Sequence, residues 1–246
     1  MTPIVIIPAR MAASRLPGKP LADIGGTPMI LRVLTQARLA GVGDVAVAAA
    51  EPEIVDLVRA AGGTAVLTDP ALPSGSDRVL AALGELDPDG RYDVVVNLQG
   101  DMPFIDPAAP RDAVALLDGE PGCDIATLVA AASAADCVDP DVCKAILAMR
   151  ADGKAGRALY FTRATPFGEG PTWHHLGIYA YRRAALERFC AAPPSPLERR
   201  EKLEQLRALE MGLQIWAWVI ARAPISVDNP ADLAAARAHA EAGRAA

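Results

Sequence analysis

Four apolar residues, Ile4-Val5-Ile6-Ile7, run directly into Pro8-Ala9-Arg10-Met11-Ala12-Ala13-Ser14-Arg15-Leu16-Pro17-Gly18-Lys19-Pro20-Leu21, and this junction constrains the chain most. A short continuous apolar run bounded by proline reads as a buried strand. The loop behind it carries three fixed cations, Arg10, Arg15 and Lys19, separated by the small residues Ala12, Ala13 and Ser14. Small side chains leave backbone N–H groups open to a bulky anion, and Gly18 allows a sharp turn before Lys19. Oriented amides and clustered cations at a strand end suit a triphosphate. A single Arg or Lys would read as solvated surface. Three within ten residues, directly behind a buried strand, point to a binding loop.

The rest of the N-terminal half alternates strand and helix. A helix is expected from Thr27-Pro28, a cap followed by a first-position proline. Ile30, Val33, Leu34 and Ala37 would face inward, and Gly41 would stop it. Val45–Ala49 reads as a strand, residues near Ile54–Ala61 as a helix ended by Gly62-Gly63, and Thr64–Thr68 as a strand. Asp77–Leu86 then reads as a helix, and Asp93–Leu98 as a continuous apolar strand. Such alternation predicts an α/β fold with a parallel sheet and right-handed crossovers, and ligands beyond the carboxyl ends of its strands. Arg10 and the Gln99-Gly100-Asp101 turn both lie at such ends.

The second half is less regular. Val142–Met149 and Ala158–Thr162 flank Ala151-Asp152-Gly153-Lys154, a hairpin signal. Leu176–Tyr181 and Leu213–Ile220 read as strands. Ser195-Pro196-Leu197-Glu198 carries a cap, a first-position proline and a capping-box Glu, so a helix is expected to about Met211. Pro230 opens a last amphipathic helix. No internal repeat or low-complexity linker divides the chain, so residues 1–246 read as one domain.

Composition excludes several classes. At 246 residues, 52% hydrophobic and 22% charged, the chain affords a large core. A net charge of −6 gives no bulk attraction to nucleic acid or anionic membranes. The early apolar run is too short for a signal peptide, and no stretch approaches a membrane span. Cys123, Cys137, Cys143 and Cys190 form no C-x-x-C pair and do not cluster with His174, His175 or His239; reduced thiols in a cytoplasmic protein are expected. Neither a P-loop nor a G-x-G-x-x-G follows the first strand, which disfavours P-loop and nicotinamide enzymes.

Several residues could carry chemistry. Asp101 follows a strand and a glycine; Asp228 follows Ile225 and Val227 and precedes Asn229-Pro230. If the fold joins them, two carboxylates make a site for magnesium shared with substrate phosphates; otherwise Asp228 is a helix N-cap. Ser74-Gly75-Ser76-Asp77-Arg78 either reads a base or ribose or is a plain helix start capped by Ser76. For His174, His175 and Tyr179, spacing does not separate a core role from a ligand role. Glu204 and Gln205 read as a solvated pair.

Taken together, these segments resemble the 3-deoxy-manno-octulosonate cytidylyltransferase family. The resemblance rests on the opening loop from Pro8 to Leu21, Ser74–Arg78, Asn97–Asp101 and Phe161-Thr162-Arg163-Ala164. It continues through His175–Tyr179, Pro194–Glu198, Leu203-Glu204-Gln205-Leu206-Arg207 and Val227-Asp228, and covers nearly the whole chain. It implies a Rossmann-like, mixed, mostly parallel sheet with helices on both faces, of the nucleotide-diphospho-sugar transferase type. Residues of roughly 140–210 would add a hairpin-and-helix part that binds the sugar and forms a homodimer. The implied reaction joins CTP to the acidic 2-keto sugar KDO, releasing pyrophosphate with magnesium, on the route to lipopolysaccharide. The resemblance places Ala9, Arg10, Arg15, Lys19, Ser74, Gly75, Arg78 and Gln99 on the nucleotide, with Arg15, Lys19 and Asp101 catalytic. It places Asp101 and Asp228 on magnesium, and Gln99, Arg163, His175, Tyr179, Glu204 and Gln205 around the sugar acid. A guanidinium fork matches a carboxylate, so Arg163 is its expected partner.

Four departures stand out. Ala48-Ala49-Ala50 replaces a usual Thr-Asp pair, Met102 replaces a Glu, His174 stands where Arg or Lys is common, and the chain between Phe167 and His174 is short. They leave open a cytidylyltransferase for another 2-keto sugar acid, such as an amino-KDO or a nonulosonate. A nucleotide-binding regulator without turnover is the other alternative, which the presence of both Asp101 and Asp228 disfavours.

Overall fold

The computed structural model describes residues 1–13, 15–168 and 170–245. In chain order it contains β1 (Pro3–Ala9), α1 (Met29–Ala40), β2 (Asp44–Ala49), α2 (Pro52–Ala60), β3 (Thr64–Leu67), α3 (Gly75–Leu86), β4 (Val94–Leu98), α4 (Ala108–Gly119) and β5 (Ile125–Ala131). Then follow α5 (Ala134–Val138), β6 (Lys144–Met149), β7 (Ala155–Thr162), β8 (Trp173–Arg182), α6 (Arg183–Ala191), α7 (Pro196–Glu201), α8 (Gln205–Glu210), β9 (Ile215–Ile220) and α9 (Pro230–Ala245). The chain forms two compact units. The first holds Thr2–Tyr92, Asn97–Ala108 and Pro224–Ala246; the second holds Met1, Asp93–Val96 and Ala109–Ala223.

In the first unit, β1 pairs in parallel with β2, and β2 with β3. Ile4, Val5, Ile6 and Ile7 are buried, as are Ile30, Val33, Leu34 and Ala37 of α1. Removing this apolar surface from water drives the layering of helix on sheet. Gly41 closes α1 in a left-handed conformation, as expected. The start of α1 differs: Pro28 is the capping residue and makes no side-chain cap, so Thr27 is not the N-cap. A second apolar cluster of Ile24, Met29, Val227, Leu233, Ala236 and Ala240 seats α9 and fixes the segment that precedes it.

In the second unit, β5 pairs in parallel with β9 and antiparallel with β8, while β6 and β7 form the expected antiparallel hairpin. β7 also pairs antiparallel with β9, and β6 with β8. Phe161, Ile178, Leu186, Phe189 and Ile215 lie in its core. The helix expected from Ser195 to Met211 is two helices. Ser195 and Glu198 do form a capping box, but Lys202 takes a left-handed φ of 56° and breaks the chain between α7 and α8. The α/β class with a mixed sheet is therefore observed.

Candidate active site

A crevice of about 290 Å³ opens in the first unit at the carboxyl end of β1. It is lined by Ala9, Arg10, Arg15, Lys19, Ser74, Gly75, Arg78, Gln99, Asp101 and Asp228, together with Pro8, Ala13, Pro20 and Gly100. Four chain segments distant in sequence thus meet at the strand ends, where an α/β sheet places its ligands. Gly100 permits a close approach: a Cβ there would lie 2.9 Å from the Pro8 carbonyl oxygen. Gly18, at φ 73°, makes the expected turn into the short 3-10 helix Lys19–Leu21.

The loop spends more of its own amides than expected. Ala13 N–H and Gly18 N–H both donate to the Met11 carbonyl at 2.9 Å, and Met11 N–H donates to Glu51 Oε2 at 2.9 Å. The Ala13 amide is therefore not open to an anion, and Ser14 lies outside the described residues. What the loop offers the crevice is chiefly cationic side chains.

Lys19 is the hub. Its Nζ donates to Asp101 Oδ2 at 3.0 Å, to the Val227 carbonyl at 3.1 Å and to Asp228 Oδ1 at 3.2 Å. Arg15 Nη2 lies 3.6 Å from the same Asp228 oxygen. Val227 N–H donates to the Asp101 carbonyl at 2.9 Å, which ties the two acidic segments together through their backbones. Burial raises the Asp101 carboxyl above its ordinary value; Lys19 pulls it down and Asp228 pushes it up. Burial alone would lower Lys19, but Asp101 and Asp228 outweigh it and the net shift is upward.

Asp228 is not the cap of α9. Asn229 Oδ1 accepts from Ala231 and Asp232 N–H, while Asp232 Oδ2 accepts from Asp228 and Asn229 N–H. That arrangement leaves the Asp228 carboxylate to the crevice. Two carboxylates converging on one point, and repelling one another there, fit a magnesium ion that takes its other ligands from water and phosphate. No group of three or more His, Cys, Asp or Glu suited to a metal occurs among the described residues.

Ser74, not Ser76, caps α3: its Oγ accepts from Asp77 N–H at 3.1 Å and donates to Asp77 Oδ2 at 2.7 Å. Arg78 is buried, and its Nη1 donates to Thr68 Oγ1 at 2.6 Å and the Asp69 carbonyl at 3.2 Å. Its Nη2 is buried without a hydrogen-bond partner among the described residues. Burial, then repulsion from Arg10, lowers the Arg78 pKa, and Glu51 and Asp69 oppose the shift. Gln99 Nε2 donates to Asn97 Oδ1 at 3.1 Å.

Gln99 belongs to the first unit; Arg163, His175, Tyr179, Glu204 and Gln205 belong to the second. His175 is buried, with Nε2 3.0 Å from Thr127 Oγ1, and burial followed by His174 lowers its pKa to about 3. The ring is neutral at physiological pH. Tyr179 lies beside it, with ring centroids 5.4 Å apart, and burial pushes its phenol well up. Gln205 is buried, so it is not half of a solvated pair; its Nε2 contacts Cys143 Sγ at 3.5 Å. Arg163 is half-buried, and its Nη1 donates to the Pro140 and Asp141 carbonyls at 3.2 and 2.9 Å.

Sequence reasoning missed Thr68, Thr127, Cys143 and Lys144, which hold these groups in place. For Lys144 a signal existed: it is the one charge inside the apolar run Val142–Met149.

An anion-binding loop at the end of a parallel strand, facing two carboxylates, defines a nucleotide-binding α/β protein of transferase type. The family described as Cytidylyltransferase matches residues 4–215. The 3-deoxy-manno-octulosonate cytidylyltransferase of Parvibaculum lavamentivorans is 59% identical over 96% of this chain and 92% of its own. The enzyme of that name from Paramagnetospirillum magneticum is 54% identical over 97% of each chain. The structure of a CMP:2-keto-3-deoxy-manno-octonic acid synthetase complexed with CTP matches with a TM-score of 0.89 at 37% identity, over 99% of this chain and 100% of that one. A glucose-1-phosphate thymidylyltransferase structure from Bacillus anthracis shares the fold alone, at TM-score 0.66 and 17% identity. The chain belongs to the 3-deoxy-manno-octulosonate cytidylyltransferase family.

Proposed function

We propose that this chain transfers CMP from CTP to the anomeric hydroxyl of KDO, giving CMP-KDO and pyrophosphate for lipopolysaccharide synthesis. The observation that carries this reading is the convergence of Arg15, Lys19, Asp101 and Asp228 in one crevice. The sugar hydroxyl attacks the α-phosphorus in line and pyrophosphate leaves, so no protein nucleophile is required. Catalysis is then positioning plus charge stabilisation. Arg15 and Lys19 stabilise charge as it builds on the departing phosphates, Arg10 adds to the field, and Arg78 lines the same crevice for the nucleoside. Asp101 and Asp228 would hold magnesium, which neutralises phosphate charge when bound. Arg163 takes the sugar carboxylate; His175, Tyr179, Glu204 and Gln205 provide donors and acceptors for its hydroxyls.

A homodimer fits the second unit, where Val138, Leu159 and Phe167 expose apolar surface; sedimentation equilibrium tests it. A cytoplasmic place is consistent with four free cysteines and with no helix, among the described residues, long and apolar enough to cross a membrane. The deciding experiment is CTP-dependent pyrophosphate release with KDO, with and without magnesium, beside a panel of other 2-keto sugar acids. Release with an amino-KDO or a nonulosonate but not with KDO would redirect the substrate. Release with none, despite CTP binding, would make the chain a nucleotide-binding regulator.

A further inference from the structure

Lys144 lies on β6 with no exposed surface. A buried ammonium group is ordinarily paired with a carboxylate, because desolvating an uncompensated charge is costly. Among the described residues no carboxylate accepts a hydrogen bond from Lys144 or forms an ion pair with it, although Asp136 lies within its field. Its Nζ donates instead to the Asp139 carbonyl at 2.8 Å and to the Arg163 carbonyl at 2.6 Å. The Arg163 guanidinium in turn donates to the carbonyls of Pro140 and Asp141. Two cations therefore grip three consecutive carbonyls, and one of them also holds the backbone of the other.

An apolar residue on this strand would avoid the cost of the buried charge, so packing alone does not account for a lysine here. We propose that Lys144 is a positioning residue for the sugar carboxylate: it fixes the Arg163 backbone against the Asp139–Asp141 loop. The Arg163 guanidinium then stands on neutral carbonyls that an incoming carboxylate displaces. The exchange is favourable because a charged acceptor makes the stronger hydrogen bond. This inference rests on the reading above that Arg163 meets the sugar acid.

The test is a double-mutant cycle of Lys144→Met and Arg163→Ala in the full-length enzyme, with KM measured for both substrates. Lys144→Met is expected to raise the sugar-acid KM on the order of tenfold while moving the CTP KM less than about twofold. On the Arg163→Ala background the same change should add less than about twofold, because its route of action is already gone. A lowered melting temperature with an unchanged sugar-acid KM would overturn the proposal, as would effects that multiply in full. Should Lys144→Met not fold, Lys144→Gln is read in the same cycle. The cycle uses whichever 2-keto sugar acid the wild type turns over, so a failure of KDO itself counts against the function reading and not against Lys144.

Discussion

Replacing Lys19 with methionine keeps the length of the side chain and removes the one charge that both acidic residues share. The Lys19 and Asp101 side chains are 17% and 21% exposed, so their 3.0 Å contact is a shielded, charge-assisted hydrogen bond. Such a bond contributes about 1.5–3 kcal/mol. Asp228 is 42% exposed, and its contact at 3.2 Å is discounted to roughly 0–1 kcal/mol for solvent screening. The expected loss is about 1.5–4 kcal/mol, or roughly 3–16 °C in Tm for a chain of this size. Thermal unfolding without nucleotide at pH 7 measures it.

The sign of the pH dependence follows from the two shifts. Asp101 already titrates above its ordinary value, and without Lys19 it rises further. The folded variant therefore takes up its proton at higher pH than the wild type, and its deficit narrows as pH falls from 7 toward 4. Lys19 titrates above 10.5, so its own contribution is complete below that value and is lost only as pH climbs through the raised one. Asp101→Asn in the Lys19→Met background should restore most of the loss, because it removes the stranded charge. A Tm within about 2 °C of wild type at pH 7, or no restoration by Asp101→Asn, would refute the reasoning.

Asp101→Asn and Asp228→Asn should each lower turnover about a hundredfold or more while the protein stays folded, and Asp228→Asn should raise the magnesium needed for half-maximal rate. Near-normal activity of Asp228→Asn at low magnesium would remove it from the metal site. Chelation of magnesium should abolish pyrophosphate release by the wild type, and activity retained in excess chelator would sink the two-carboxylate reading. Arg163→Ala should raise the sugar-acid KM by about 1.5–3 kcal/mol and the CTP KM far less; equal effects would place Arg163 in the nucleotide site or scaffold. His175, lowered to about 3, stabilises the fold fully above pH 6.5 and progressively less as pH falls toward 3. Over that window the stability of His175→Gln should fall less steeply with acid, by up to ~1.4 kcal/mol per pH unit; parallel curves would show that the ring titrates normally.

The first unit was legible because its strands are continuous apolar runs punctuated by Gly and Pro, and because ligand residues gather at strand ends. The second was less so. Ile125-Ala126-Thr127-Leu128-Val129-Ala130-Ala131 carries no period, and only pairing with β8 and β9 makes it a strand. The break at Lys202 has no sequence marker, since lysine is a good helix former. Burial of Gln205, Leu206 and Arg207 on α8 accompanies it, a tertiary outcome that local propensity does not contain. The support for Arg163 was equally hidden, because its partners are backbone carbonyls and any residue type supplies those.

The departures from the family pattern separate once their positions are known. Ala48, Ala49 and Ala50 are buried, Met102 is buried, and none of them lines the crevice. The Ala49 carbonyl accepts both the amide and the hydroxyl of Thr68, at 2.8 and 2.9 Å, and that hydroxyl receives Arg78. Backbone groups therefore hold the crevice-lining Arg78 although the local side chains are apolar, and the alanines at 48–50 leave its mooring intact. His174 is a different case. It is half-buried; burial lowers its pKa, Asp136 opposes that, and Lys144 adds to it. It lies within the field of Lys144, in the unit that holds Arg163. Any narrowing or shift in sugar-acid choice should therefore arise around β6 and β8, while the nucleotide crevice retains its cations and carboxylates.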